Sequence, residues 1–483
     1  MSSVRPAPGF RVTAVIIASA LFMEQLDATV LTTALPAMAR SFGVPPLHMS
    51  AALTSYLLAL AMFIPASGWF ADRFGARRMF RAAIAVFTLG SMLCGQAPNL
   101  PFLVAARLLQ GLGGAMMVPV GRLVLLRTVA REDLVAAMAW FTVPALLGPV
   151  VGPPLGGFLV TFASWRWIFY LNVPIGILGI SLVTRYIRDV RDEPPGPFDL
   201  GGFLLSCVAL SCLMFGLEAG SRGGGTALPG TAAALAAGVL AGAAYLRHAA
   251  GASHPILDVS LMRVRTFGIS VVGGSLTRIT SGALPFLLPL MLQLGFGLSA
   301  ARSGLITFCT AAGSILMKMV TPRILRRFGF RATLTWNAMI ASSFLAVCAT
   351  FRPGWPVLCI NAVLLAGGFF QSLQFTALNT VAYADIPQAR MSAATSFYST
   401  FQQLMLSMGI CIASAALALS IRVSGHAGPQ LSDFSAAFLA VTALSFLAAP
   451  VCARLPADAG AGMTGHRPRE AGVGEMSRGA SRA

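Results

Sequence analysis

Among the charged residues that lie inside long apolar stretches, three most need a chemical explanation. Glu24 and Asp27 occur in the first apolar stretch, and Arg107 occurs in the fourth. A charge at the centre of a bilayer costs about 2.5–3.5 kcal/mol on insertion scales, so such a residue usually faces a cavity or a partner. A carboxylate partly shielded from water beside an arginine can gain and lose a proton as its surroundings change. The pattern therefore predicts proton chemistry, with Asp27 as the main titrating group.

The depths of these side chains predict which of them meet. At 1.5 Å of rise per residue, Asp27 lies roughly 12 Å and Arg107 roughly 10 Å from the outer ends of their helices. These matching depths allow an ion pair, which would serve either proton coupling or structure alone. Glu24 lies one helical turn further in, on a neighbouring part of the same face. It is expected to be a helper in proton coupling or a substrate contact.

Other polar residues inside the apolar stretches are candidates for substrate contact, namely Gln110, Arg122 and Arg278. Together with Arg107, the two further arginines could make the interior basic, which keeps an anionic or zwitterionic metabolite open as the substrate. Arg122 could instead extend its charged end to the membrane surface. Glu218 lies near the outer end of the seventh apolar stretch and is expected to be solvated.

The elements that position these residues must be membrane helices. Of the 483 residues, 56% are hydrophobic and only 10% are charged, which is too little charge to cover a water-exposed surface of this size. The apolar residues form fourteen stretches of about 20 residues, long enough to cross a ~30 Å hydrocarbon core. Because the backbone must satisfy its own hydrogen bonds in lipid, these stretches are predicted to be α-helices. The sequence therefore predicts an all-α integral membrane protein.

The distribution of basic residues predicts the orientation of the chain. Although the net charge is +18, the arginines lie in short loops between apolar stretches, which argues against nucleic acid as a partner. An even number of helices puts both termini on one side of the membrane. That side receives 25 of the 34 basic residues, whereas the other receives six. Basic loops stay in the cytoplasm, so both termini are predicted to be cytoplasmic.

An internal repeat predicts how the helices are organised. Residues 72–77 read Asp-Arg-Phe-Gly-Ala-Arg, and residues 326–331 read Arg-Arg-Phe-Gly-Phe-Arg, an offset of 254 positions. A six-helix half takes roughly 190 residues, so two extra helices are expected between two parallel halves, as in major facilitator transporters. The predicted units are a six-helix half (1–190), two inserted helices with linkers (191–262), a second six-helix half (263–455) and a disordered tail (456–483).

Two local patterns have physical roles that can be argued directly. In the loop after the second helix, Gly68 would allow close backbone approach and Gly75 a tight turn, while Asp72 could cap a helix or pair with an arginine. Arg73, Arg77 and Arg78 would anchor the cytoplasmic face of the same loop. In the fifth helix the small residues Gly148, Gly152 and Gly156, followed by Gly157, form a stripe that favours backbone-to-backbone packing, and Pro149 bends the helix.

These motifs, in order along the chain, resemble those of the major facilitator superfamily. The segments that carry the resemblance are 26–36, 68–78, 107–115, 148–157 and 165–176, and the resemblance as a whole covers about residues 10–455. The first and last are similar to the fourteen-helix drug–proton antiporters of the EmrB/QacA branch, and residues 111–121 are similar to its MdtD-type members. The resemblance implies that the 68–78 loop is a conformational latch. In the second copy Arg326 replaces Asp72, which implies a weaker latch.

The resemblance implies a major facilitator fold with fourteen transmembrane helices, arranged as 6 + 2 + 6, in the bacterial inner membrane. The implied function is proton-coupled efflux of drugs or other small molecules by alternating access. The alternative is a dedicated exporter of an anionic metabolite or metal chelate on the same scaffold. Expected partners are the substrate, protons and the lipid bilayer, with a periplasmic adaptor or outer-membrane component as a further candidate. No enzymatic activity, cofactor or metal is expected.

Overall fold

The protein is described by a computed structural model that covers residues 10–128, 134–187, 197–222, 228–252, 255–387, 390–426 and 428–460. Every regular element within these ranges is helical. Most of the tail expected to be disordered, from residue 461 onward, lies outside the described residues.

The helices follow the apolar stretches of the sequence. In chain order they are α1 (Phe10–Phe42), α2 (Ser50–Phe74), α3 (Ala76–Gly95), α4 (Leu100–Thr128), α5 (Leu134–Phe162), α6 (Trp167–Tyr170), α7 (Asn172–Tyr186), α8 (Leu200–Arg222), α9 (Leu228–Gly251), α10 (Arg265–Leu290), α11 (Ala300–Cys348), α12 (Val357–Val381), α13 (Met391–Ser424), α14 (Leu431–Phe446) and α15 (Ala448–Cys452). Within the described ranges, twelve helical segments are long and apolar enough to cross a membrane. The all-α membrane class is therefore confirmed.

The two copies of the repeated loop have the same backbone feature, a glycine with positive φ. Gly75 separates α2 from α3 at φ 92°. Gly329 has φ 71° and ψ 171° and interrupts α11, so that α11 consists of two helices joined at a kink. Residues other than glycine rarely adopt positive φ angles, so each glycine fixes a break in the helix. The tight turn predicted at Gly75 is confirmed.

The helices pack as two similar groups with a pair of helices beside them. α1 packs along α5, and α10 packs along α13. The two groups meet where α2 contacts α13 and where α5 contacts α11. α8 and α9 pack on each other, and α8 contacts both α2 and α13. The pair therefore lies at the edge of the contact between the two groups.

The buried apolar clusters differ between the two ends of the bundle. At the end remote from the termini, one cluster includes Val30 of α1, Phe286 of α10 and Phe438 of α14, so it joins both groups. At the end where α1 begins, separate clusters form: one around Phe80 and Phe87 belongs to the first group alone, and others pack in the second group with α9. The bundle is therefore sealed at the end remote from the termini.

Candidate functional site

Asp27 lies at the centre of a buried polar network within the first group of helices. Its Oδ2 is 2.5 Å from a terminal guanidinium nitrogen of Arg107 on α4. Its Oδ1 accepts hydrogen bonds of 2.9 Å from the side-chain amides of Gln110 and Asn172. Asn172 also donates to the hydroxyl of Ser91 at 2.9 Å. Two helices besides α1, namely α4 and α7, therefore hold this one carboxylate directly, and Ser91 of α3 holds Asn172 in place.

Small residues of α4 bring Arg107 into position. The guanidinium carbon of Arg107 lies 4.3 Å from the ring centre of Tyr56 on α2, and its Nε donates to the carbonyl oxygen of Ala52 at 3.1 Å. A Cβ atom on Gly111 would lie 2.7 Å from the carbonyl oxygen of Tyr56, and one on Gly114 would lie 2.8 Å from its hydroxyl. Glycine at these positions allows the close approach of α2 that stacks the ring under the cation.

Glu24 is not part of this hydrogen-bond network. It is only 5% exposed, and its Oε2 has no hydrogen-bond partner among the described residues. Because buried polar groups are normally hydrogen-bonded, this carboxylate is available to a ligand or a proton. The structure therefore separates the two acidic residues of α1 into one that is fully engaged and one that is not.

The predicted substrate contacts have three different environments. Gln110 uses both ends of its amide within the network, since Arg107 donates to its Oε1 at 2.6 Å. Arg122 is exposed near the end of α4. Arg278 is buried in α10, with its guanidinium carbon 3.4 Å from the ring centre of Phe375. The predicted basic interior thus reduces to Arg278, because Asp27 neutralises Arg107.

The glycine stripe of α5 faces α1, as the packing interpretation predicted. A Cβ atom on Gly148 would lie 2.7 Å from Cβ of Gln25, one on Gly152 2.0 Å from Oγ1 of Thr29, and one on Gly156 2.6 Å from Oγ1 of Thr33. The neighbouring Gly157 faces the other group of helices, where a Cβ atom would lie 2.4 Å from the carbonyl oxygen of Ala300 on α11. Pro149 lies within the same helix.

The predicted latch residues lie at the break between α2 and α3. Asp72 and Arg73 end α2, and Arg77 and Arg78 begin α3. Arg77 donates a hydrogen bond to the carbonyl oxygen of Thr184 on α7. The close approach predicted at Gly68 is wrong for this structure, because a Cβ atom there would have nothing within 4 Å.

The expectation that Glu218 is solvated is also wrong. The residue is 4% exposed. Its Oε1 accepts a hydrogen bond of 2.6 Å from Ser50 of α2, and its Oε2 lies 3.7 Å from Sγ of Cys411 on α13. Its position near the helix end suggested water, but α8 packs into the seam between α2 and α13, and that contact could not be deduced from the sequence.

The sequence analysis missed three members of the polar network, Tyr56, Ser91 and Asn172. Each is a polar residue within an apolar stretch, which is the signal that could have identified them. Asn172 was noticed only as part of a motif. Its hydrogen bond to Asp27 depends on how α7 packs beside α1, and helix spacing alone does not provide that information.

Two similar groups of membrane helices, one of which encloses a buried polar network, are typical of a membrane transporter. Residues 17–410 match the sequence profile of the Major Facilitator Superfamily. The candidate multidrug resistance protein MdtD of Escherichia coli O6:H1 is 40% identical over 450 residues, covering 92% of this chain and 94% of the relative. MdtD of Shigella boydii serotype 4 is 40% identical over 446 residues, with the same coverage.

The chain belongs to the Major Facilitator Superfamily, which confirms the resemblance predicted from its motifs. Solved structures agree with the fold. The nucleoside transporter NupG matches with a TM-score of 0.64 at 13% identity, over 92% of this chain and 98% of NupG. The POT family transporter PepTSo matches with a TM-score of 0.67 at 14% identity, over 93% of this chain and 98% of PepTSo. With its bacterial relatives and twelve apolar helices, the protein is a multi-pass protein of the bacterial inner membrane.

Proposed function

We propose that this protein is a proton-coupled efflux transporter for drugs and similar small molecules. The observation that carries the proposal is the buried Asp27–Arg107 pair, a titratable group held at the centre of the first helical half. The similarity to MdtD, named as a multidrug resistance protein, supports the substrate class. Neutralising Asp27 would weaken its attraction to Arg107 and free the helices around it to rearrange.

The proposed topology has fourteen membrane crossings with both termini in the cytoplasm. Counting the two parts of α11 separately at Gly329 and adding the 29-residue α5 raises the twelve apolar segments to fourteen. The proposed units are the helical halves 1–190 and 263–455, with residues 191–262 as the inserted pair. Reporter fusions test this topology. If a reporter that works only outside the cytoplasm is active when fused within the 68–78 loop, the topology is wrong.

Transport would proceed by alternating access of the two halves. With cytoplasmic termini, the sealed end faces the periplasm, and this conformer is open toward the cytoplasm. One proton moving down 100 mV releases about 2.3 kcal/mol, which supports a substrate gradient of roughly 50-fold at about 1.4 kcal/mol per decade. The energy of the proton gradient is therefore sufficient for useful export.

The break at Gly75 is proposed to act as the latch that holds one conformer. We expect Asp72→Asn to leave the protein folded and inserted but to slow transport severalfold, since Asp72 lies where α2 ends and the chain turns. The matched control is Arg326→Gln at the equivalent position of the second half, which should have a smaller effect. Transport at the normal rate in Asp72→Asn would reduce the loop to a topology signal.

Proton coupling is tested in everted membrane vesicles that contain the full chain. An imposed pH gradient, acid inside, should drive lipophilic dyes and drugs into the vesicles against their concentration gradient, and a protonophore should abolish the uptake. Uptake that only equilibrates the two sides, with or without the gradient, would contradict the proposal.

A dedicated exporter of an anionic metabolite or metal chelate is the second candidate. Arg278 favours it, because this buried cation lies in the second half without an ion pair among the described residues. Comparing the metabolites retained by a deletion strain with its drug susceptibility distinguishes the two. A requirement for a periplasmic adaptor or an outer-membrane component is tested by transport into vesicles from cells that lack such proteins.

A further inference from the structure

The internal repeat relates two oppositely charged residues in the two halves. Adding the offset of 254 to Glu24 gives Arg278, and adding it to Ala28 gives Gly282. Ala28 on α1 and Gly282 on α10 line the same cavity of about 130 Å³ between the halves. The repeat offset therefore links positions that the structure itself places around one central space.

Glu24 and Arg278 occupy the next helical turn on the same faces. Residues four apart in a helix lie one above the other, so Glu24 is below Ala28 and Arg278 is below Gly282, both on the side of the termini. This is the side on which the halves have separate apolar clusters. This helical spacing predicts that an acidic side chain of α1 and a basic side chain of α10 face the central space from opposite halves.

Neither charge is neutralised within its own half. Glu24 is only 5% exposed, and its Oε2 has no hydrogen-bond partner among the described residues. Asp27, which lies one turn further along α1, directs its own oxygens to Arg107, Gln110 and Asn172 instead. Glu24 therefore has capacity for one strong donor.

Arg278 has only neutral partners among the described residues. A terminal nitrogen donates to Oδ1 of Asn379 at 3.4 Å, and Phe375 lies under the guanidinium group. Arg278 also lines a small cavity with Tyr398 and Gln402. A guanidinium group can bind a carboxylate through two parallel N–H donors, and these neutral neighbours do not balance the positive charge of Arg278.

We propose that the substrates are amphoteric organic molecules whose carboxylate binds Arg278 and whose protonated amine binds Glu24. This inference rests on the proposed export function and specifies its substrate class. It explains why an exporter of drugs would have Arg278 in its interior without an ion pair among the described residues. Each charge of the substrate would meet the opposite charge in one half of the protein. A molecule that carries only one of the two charges leaves the other protein charge buried without a partner, which costs affinity.

A charge series of one fluorescent compound tests the proposal by direct binding. The probes are Nε-dansyl-lysine, its methyl ester and its Nα-acetyl derivative, which carry both charges, the amine charge alone and the carboxylate charge alone. Each is titrated at neutral pH into the purified full chain in lipid nanodiscs. The unmodified probe should bind at least about 10-fold more tightly than either derivative, the factor that corresponds to about 1.4 kcal/mol.

Two variants assign the charges to their residues. Arg278→Gln should weaken binding of the unmodified probe to the level of the methyl ester and leave the methyl ester unchanged. Glu24→Gln should weaken it to the level of the acetyl derivative and leave that derivative unchanged. The control is Arg422→Gln, the same substitution at an exposed arginine of α13, which should change none of the three affinities.

Three results would overturn the proposal: equal affinity for all three probes, an equal loss for all three in Arg278→Gln, or no binding of any probe. If Arg278→Gln leaves uphill, proton-driven transport of a simple lipophilic cation unaffected, that result would contradict the proposed substrate class but not the export function. Charge-selective binding without any pH-driven transport would support the proposed substrate site at Glu24 and Arg278. It would contradict the proposed proton coupling.

Discussion

The two halves of this transporter have the same backbone plan but different charges at its centre. Gly75 and Gly329 break the chain at equivalent places, and in each half the first helix packs closely on the fifth. The first half has Glu24 and Asp27 on its first helix, where the second half has Arg278 and Ser281. The two halves therefore share the positions that break and pack the helices, whereas the charged residues at their centres differ.

The two centres also differ in how their charges are balanced. In the first half Arg107 has an ion pair with Asp27 at 2.5 Å and also donates hydrogen bonds to Ala52 and Gln110. In the second half Arg278 has an asparagine side chain and an aromatic ring against it and shares a small cavity with Tyr398, with no carboxylate in contact among the described residues. The proposed proton site thus has its charge balanced within the protein, whereas the proposed substrate site leaves a positive charge for a ligand.

The largest difference should appear when each arginine is removed. Arg107→Gln leaves Asp27 buried without its partner, which costs about 3–5 kcal/mol in comparable cases. Arg278→Gln leaves no carboxylate behind, so the protein should keep its abundance and melting temperature. Both are measured on membranes and in detergent. Equal losses in the two variants would mean that Arg278 also has a structural counter-charge, and the contrast between the halves would collapse.

A smaller effect should come from filling the close contact between the first and fifth helices of each half. A Cβ atom on Gly409 of α13 would lie 2.1 Å from the backbone carbonyl oxygen of Ile279, whereas one on Gly152 would meet the hydroxyl of Thr29. A side chain can turn away and a backbone cannot, so Gly409→Ala should destabilise more than Gly152→Ala, by about 1–3 kcal/mol.

Gly68→Ala is the matched control for both glycine variants. Nothing lies within 4 Å of a Cβ atom at that position, and alanine favours a helix over glycine by about 1 kcal/mol. Thermal unfolding in detergent should show no loss of stability for this variant. If all three substitutions proved neutral, the close packing of the halves would not limit stability.

The smallest expected effect is at a partly exposed ion pair between the inserted segment and the second half. Arg390 donates to Asp258 at 2.6 Å. Burial opposes the charged form of Asp258, but hydrogen bonds from Ser260 and Arg390 outweigh it and hold the pKa of the carboxyl below its usual value. A lowered folded-state pKa stabilises the fold above the unfolded pKa of about 3.9, and that contribution is lost as the pH falls through the folded value.

Arg390→Gln should therefore lower stability at pH 7 by only about 0.2–1 kcal/mol. The difference from the unchanged protein should shrink as the pH falls below the unfolded pKa of about 3.9, because the stabilising ionised form of Asp258 is progressively lost. Melting temperatures at pH 7, 5 and 3 check the sign. A difference that grew toward acid pH would contradict it.

Much of the fold could be predicted from the sequence, because lipid forces the apolar stretches to be helices and glycine marks the breaks at 75 and 329. Matching depths also indicated that Asp27 and Arg107 could meet. The burial of Glu218, the open space at Gly68 and the hydrogen bond from Asn172 to Asp27 depend on how distant helices pack against each other. A single sequence encodes that packing through many small contacts and has no local pattern that reports it.

Efflux by the double variant Asp27→Asn with Arg107→Gln tests the coupling claim most directly. Both buried charges are removed together, so protein abundance should recover relative to either single variant. Uphill, pH-driven uptake into everted vesicles, normalised to protein level, should remain absent, because no titrating carboxylate remains at the centre of the network. If the double variant still pumps uphill, Asp27 and Arg107 form only a structural pair, and the coupling carboxylate is elsewhere, with Glu24 as the next residue to test.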